Sequence, residues 1–63
     1  MKHFTFDVGD LVYMKDKEQQ SIVFGFVTDR YQNLLYGQHL NEYGVKWFDG
    51  MTSTEHEDEI MKV

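Results

Sequence analysis

The run Tyr43-Gly-Val-Lys-Trp-Phe-Asp-Gly50 decides the reading of this chain. It reads as a strand that ends in a tight turn. An Asp-Gly pair suits a two-residue hairpin, because both central positions need positive φ and these two residues tolerate it best. The thirteen residues after the turn, ending in Glu59-Ile-Met-Lys-Val63, can supply two more short strands. Val8-Gly-Asp-Leu-Val12 near the start completes the outline of a small barrel.

Size sets the next constraint. The 63 residues make one domain, 1–63. A domain of this size buries only about 60% of its unfolded-chain surface, so it is marginal without a staple such as a disulfide, a metal or a second subunit. Cysteine is absent, which excludes disulfides and thiolate metal sites. Aromatic side chains must build the core instead, and the chain has five Phe, four Tyr and one Trp. Each ring buries roughly 150–250 Å².

The formal charge is −5, from six Lys and Arg against eleven Asp and Glu. Residues Met1 to Lys17 are balanced, whereas Glu55, Glu57, Asp58 and Glu59 crowd around His56. Clustered Lys and Arg, which a phosphate backbone requires, are missing, so direct nucleic-acid binding is disfavoured. No apolar stretch approaches the ~18 residues that span a bilayer, and the first residues lack a signal-peptide pattern. The expected setting is the cytoplasm, away from membranes.

Along the chain, Val8-Gly9-Asp10 reads as a turn feeding a strand from Leu11 to Lys15, and Asp16 to Gln20 as a polar loop. Ser21 to Asp29 is β-branched and aromatic and reads as a strand, with Gly25 marking a bend or bulge. Arg30 to Glu42 is open. Tyr31, Leu34, Leu35 and Gln38 share helical spacing, yet the same residues suit a short hairpin or an ordered loop. Its apolar content predicts packing on the barrel. Met51 to His56 reads as a strand, Glu57-Asp58-Glu59 as one helical turn, and Ile60 to Val63 as a last strand. The fold class is therefore all-β, a five-stranded barrel with one short helical turn.

This order of elements resembles an SH3-like barrel of the Tudor or KOW type. The residues that carry the likeness are Val8-Gly-Asp-Leu-Val12, Phe24-Gly-Phe-Val27, Tyr43 to Gly50, and Asp58-Glu-Ile60 with Val63. It is similar to short SH3-like proteins encoded by tailed bacteriophages, and similar patterns occur in small accessory subunits of photosynthetic electron-transfer complexes. The resemblance implies that Val12, Met14, Val23, Val27, Val45 and Trp47 point inward. Period-2 alternation then puts Phe24, Phe26 and Phe48 on the other face. The strand Thr52 to Glu55 offers little apolar surface and suits an edge.

Several candidate sites follow. Phe24, Phe26 and Phe48 form an exposed patch if the barrel holds, and such patches mark interfaces. Alternatively, a bent strand or Tyr31 to Leu40 covers them. Tyr13, Tyr43, Trp47, Phe48 and Asp49 have the residue types of an aromatic cage for a methylated cation, although Trp47 and Tyr43 fit a small core better. The acidic run Glu55, Glu57, Asp58 and Glu59 suits a basic partner, or a solvated turn that aids solubility. His3, His39 and His56 are too dispersed for a metal cage. No phosphate loop, cysteine nucleophile or nucleophile elbow is present, so no enzyme and no cofactor is expected.

The expected function is a non-catalytic protein-binding module, a phage accessory protein acting on a host or virion protein through Phe24, Phe26 and Phe48. Homo-oligomerisation through that patch, or through an unprotected edge strand, would help stabilise so small a core. The alternatives are an acidic decoy for a nucleic-acid enzyme, carried by the four carboxylates, and a small accessory subunit of an electron-transfer complex.

Overall fold

A computed structural model of the chain describes residues 3–15 and 22–63. The loop expected at Asp16 to Gln20, and the strand start expected at Ser21, lie outside those residues. Five antiparallel strands form one sheet: β1 (Leu11–Met14), β2 (Phe24–Leu35), β3 (Gln38–Trp47), β4 (Thr52–His56) and β5 (Ile60–Lys62). A 3₁₀ turn, Glu57–Glu59, joins the last two at the expected place. The all-β class and its five strands are thus as the sequence predicts.

The strand order is β4-β3-β2-β1-β5. In that order β4 bonds only to β3, and β5 only to β1. The sheet therefore has two edges, and the barrel expected from the sequence does not close. Closure would need the two edge strands to pair. The 3₁₀ turn instead carries the chain from one edge to the other. Residues 3–7 lie over the inner face, where Phe6 joins Val12, Val27, Tyr43, Val45, Trp47 and Ile60 in the core. Met14 and Val23 pack against this cluster, so all six positions implied as inward do face it.

Three local expectations are corrected. First, the turn with two positive φ values is Tyr36-Gly37 (φ +50° and +76°), not Asp49-Gly50. Only Gly50 is left-handed in the later turn, at φ +94°. There Gly50 N–H donates to Trp47 C=O at 2.9 Å, and Trp47 N–H to Met51 C=O at 2.8 Å. These bonds enclose Phe48, Asp49 and Gly50, the longer hairpin loop in which a single glycine absorbs the strain. Second, the bulge falls at Thr28, between Val27 and Asp29, rather than at Gly25. The Thr28 hydroxyl lies 2.9 Å from Asp29 Oδ2 and 3.3 Å from Gly44 O, which holds the extra residue in place. Its effect is to switch the alternation of β2: Gly25 and Val27 face inward before it, and Arg30 and Gln32 after it.

Third, Arg30 to Glu42 is not packed down along its whole length; of the conformations open to it, it takes the hairpin and not the helical turn. It continues the β2–β3 ladder to its end at Leu35 and Gln38. This ribbon outruns the other strands and gives the molecule its long dimension, 37 Å against 21 and 18 Å. Leu34 (66% exposed) and Tyr36 (94%) stand in solvent at its tip, because β1, β4 and β5 do not reach that far.

Gly25 serves close approach. It lies opposite Trp47, and a Cβ built on it would sit 2.7 Å from Trp47 Cε3 and 2.8 Å from Lys46 O. The backbone oxygen cannot yield without breaking the ladder. Gly25→Ala is therefore expected to lower stability by about 1–3 kcal/mol, the range for overpacking. A urea-unfolding midpoint equal to that of the wild type would show that the ladder gives way freely.

Candidate protein-binding face

Residues directly opposed across a ladder share a face of the sheet. On the face away from the core, Leu11 opposes Phe26, and Tyr13 opposes both Phe24 and Met61. Val63 N–H donates to Leu11 C=O at 2.9 Å, which extends the pairing and sets Val63 beside Leu11. Phe48 N–H donates to Phe24 C=O at 2.8 Å, which brings the Phe48 turn to the same side. The three phenylalanines named from the sequence thus join one face. Phe48 is 63% exposed and Phe24 41%, while Phe26 is half-buried.

The rings support one another without a cover. Tyr13 meets Phe24 edge-on at 6.1 Å, and Phe26 meets Phe48 at 6.3 Å. Leu11, Met61 and Val63 are exposed too, so the apolar surface runs unbroken from the Phe48 turn across β2 and β1 to β5. Lys46, opposite Phe26, gives it a charged rim. The ribbon of residues 30–42 does not fold over it.

Sequence reasoning missed four members: Leu11, Tyr13, Met61 and Val63. Their signal was the alternation in Leu11-Val-Tyr-Met14 and in Ile60-Met-Lys-Val63. That alternation becomes legible only once β1 and β5 are known to be neighbours.

The other candidates are arranged differently. Tyr43 and Trp47 are buried on the core side, whereas Tyr13 and Phe48 lie on the outer face. The five residues considered for a cage therefore do not converge. The Trp47 indole N–H donates to Ser53 Oγ at 2.8 Å, which satisfies its only polar side-chain atom. Among the acidic residues, Asp58 and Glu59 are exposed and Glu55 and Glu57 are half-buried. Among the described residues, no three His, Asp or Glu side chains gather as a metal-ligand set. His56 Nε2 lies 3.6 Å from Glu42 Oε2, a pair across β3 and β4. Among the described residues, no helix is long and apolar enough to cross a membrane.

Glu57 has a structural role that composition concealed. Its Oε1 accepts from the Tyr43 hydroxyl at 2.8 Å, from Asn41 Nδ2 at 3.1 Å and from Thr5 N–H at 3.1 Å. The Tyr43 oxygen also accepts from Thr5 N–H (3.0 Å) and Phe6 N–H (3.3 Å). Asn41 is buried and donates to His3 C=O at 2.7 Å, while its Oδ1 accepts from Gln32 Nε2 at 2.9 Å. Phe4 and Phe6 meet the Tyr43 ring edge-on at 5.9 and 5.1 Å. Arg30 then lies 4.8 Å above Phe4 and pairs with Asp7 at 3.1 Å. This network pins residues 3–7 to the inner face and leaves the outer face as the uncovered apolar surface.

Compared with known proteins, the chain matches no family model, no curated protein and no solved structure. The geometry of the two faces is therefore what bears on function.

Burial raises the Tyr43 pKa above the usual 10.0; the Phe6 and Thr5 N–H groups pull it down, and Glu57 pushes it up as both acceptor and anion. A raised folded-state value means that the unfolded chain releases this proton first. The stability contributed by the neutral phenol is thus intact below pH ~10 and is lost as pH climbs through the folded value. Alkaline titration at 295 nm should show a late-ionising phenol that vanishes in Tyr43→Phe. That variant should also cost about 1–3 kcal/mol, since it strands buried polar partners. A titration curve whose latest component survives the substitution would contradict the assignment.

Proposed function

We propose that this chain is a non-catalytic protein-binding module. Its working surface is the outer face of β2, β1 and β5, centred on Phe24, Phe26 and Phe48. The observation that carries the reading is the exposure of Phe24 and Phe48 on a continuous apolar face in so small a chain. Apolar patches of this kind on small domains mark protein contacts, and aromatic side chains are the usual anchors of such contacts.

In finer terms, the reading is of a small SH3-like module of the sort that tailed bacteriophages encode, meeting a host or virion protein in the host cytoplasm. Its support is the sequence likeness together with a five-stranded antiparallel sheet compatible with a small barrel-like fold. The nucleic-acid-decoy reading has less to draw on. Glu57 is engaged with Tyr43 and Asn41, which leaves a shorter run of outward charge.

The test is capture of a binding protein by the immobilised chain, with Phe48→Asp as the control. The residue is exposed in a turn, so the variant should fold. A specific partner retained in 0.5 M salt (about a 4 Å screening length) and lost with Phe48→Asp is the expected result. A partner that elutes with salt and ignores the substitution would point to the carboxylates and away from the aromatic face.

A further inference from the structure

The ribbon tip and a cleft at the opposite end of the molecule have complementary chemistry. From Tyr31 to Asn41 the chain carries eleven residues without one Asp, Glu, Lys or Arg. This neutral ribbon ends in Leu34 and Tyr36, both exposed to solvent. Tyr36 also holds φ at +50°, a conformation that glycine or asparagine adopts far more readily. A large apolar ring at a strained, projecting position marks a residue kept for contact rather than for the turn.

The cleft has a volume of about 340 Å³. Met14, Val23, Trp47 and Met51 give it apolar walls, and Asp49 and Glu55 bring carboxylates to it. Glu55 is half-buried, and its side chain has no hydrogen-bond or ion-pair partner among the described residues. It offers an acceptor to a donor that enters over the apolar walls. A phenol satisfies both demands, since its ring covers the methionines and its O–H donates to the carboxylate.

We infer that Tyr36 and Leu34 of one copy dock in the Trp47–Met51 cleft of a second copy of this chain. The tip cannot reach the cleft of its own molecule, because the whole β2–β3 ladder separates them. Charge is compatible with this contact between like copies. Each molecule carries −5, so like copies repel. The ribbon offers a long uncharged approach to a cleft that bears carboxylates, which limits that repulsion. The contact uses different surfaces on the two molecules. It therefore propagates head to tail, or doubles where two copies lie antiparallel and each tip enters the other's cleft. Neither surface belongs to the aromatic face proposed above, so the two contacts are independent.

Sedimentation across a concentration series tests it, with three variants. Tyr36→Gly suits the positive φ and should fold at least as well as the wild type. Met51→Glu adds a charge at an exposed position of the cleft. Both are expected to weaken self-association at least about tenfold, the scale of a tyrosine anchor. Phe48→Asp, on the outer face, should leave it intact. The inference is overturned if the wild type stays monomeric at every concentration, or if Tyr36→Gly associates as the wild type does. Association lost only in Phe48→Asp would overturn it while leaving the aromatic face standing as a contact surface.

Discussion

The Tyr43 hydroxyl holds this fold together. It lies in a side chain with no exposure, near the middle of β3, and joins two backbone N–H groups of residues 5 and 6 to the carboxylate of Glu57. Asn41, two residues earlier on the same face, repeats the device with His3 and Glu57. Three segments remote in sequence thereby meet over the core. Without cysteine, a domain of this size needs some such staple, and a fully satisfied polar network can serve as one. Phe4 and Phe6, set edge-on against the Tyr43 ring, pack beside the bonds that fix them.

This arrangement also explains why one face is finished and the other is not. Residues 3–7 lay one arm across one side of the sheet. Among the described residues, no second sheet or helix covers the opposite side. Domains normally pack two layers around a core. Here the second layer is thin and single-sided, and the outer rings of Phe24 and Phe48 remain without cover. That asymmetry is the ground for reading the outer face as a contact surface.

Much of this was legible in the residues. Alternation and β-branched content located β1, β4, β5 and the sheet-centred parts of β2 and β3, while the outer half of the β2–β3 ribbon stayed open because its apolar spacing suits a helix as well as a hairpin. The inward set came from the resemblance, and the core bears it out, with Val12, Val27, Val45 and Trp47 buried and Met14 and Val23 packed against them. What escaped detection depended on choices between like signals. Two dipeptides, Tyr36-Gly37 and Asp49-Gly50, compete for the tighter turn. Asp49 is the better left-handed residue by itself, but the register of the long ladder places the strain on Tyr36. The bulge at Thr28 carries no glycine to announce it, since a hydroxyl holds it from the side. Glu57 looked like one more member of an acidic run, because composition cannot show which carboxylate turns toward a phenol. The role of Phe6 was hidden for the same reason, as it lies outside any strand and joins the core from the arm.

The strand order has a consequence for biosynthesis. β1 is made first, yet it sits between β2 and β5, the strand made last. Glu57, which receives the first residues of the arm, is also a late arrival. Until Glu57 to Lys62 have left the ribosome, the β2–β3 ribbon can form by itself, but the first strand has only one of its two neighbours and the arm has no carboxylate to hold it. The nascent chain therefore carries an unfinished sheet edge until these late residues emerge, and its contacts of long sequence separation form last. Completion of the domain is tied to this stretch of polypeptide, so a chain stalled before Glu57 would leave β1 short of a neighbour and the arm without the carboxylate that holds it over the core.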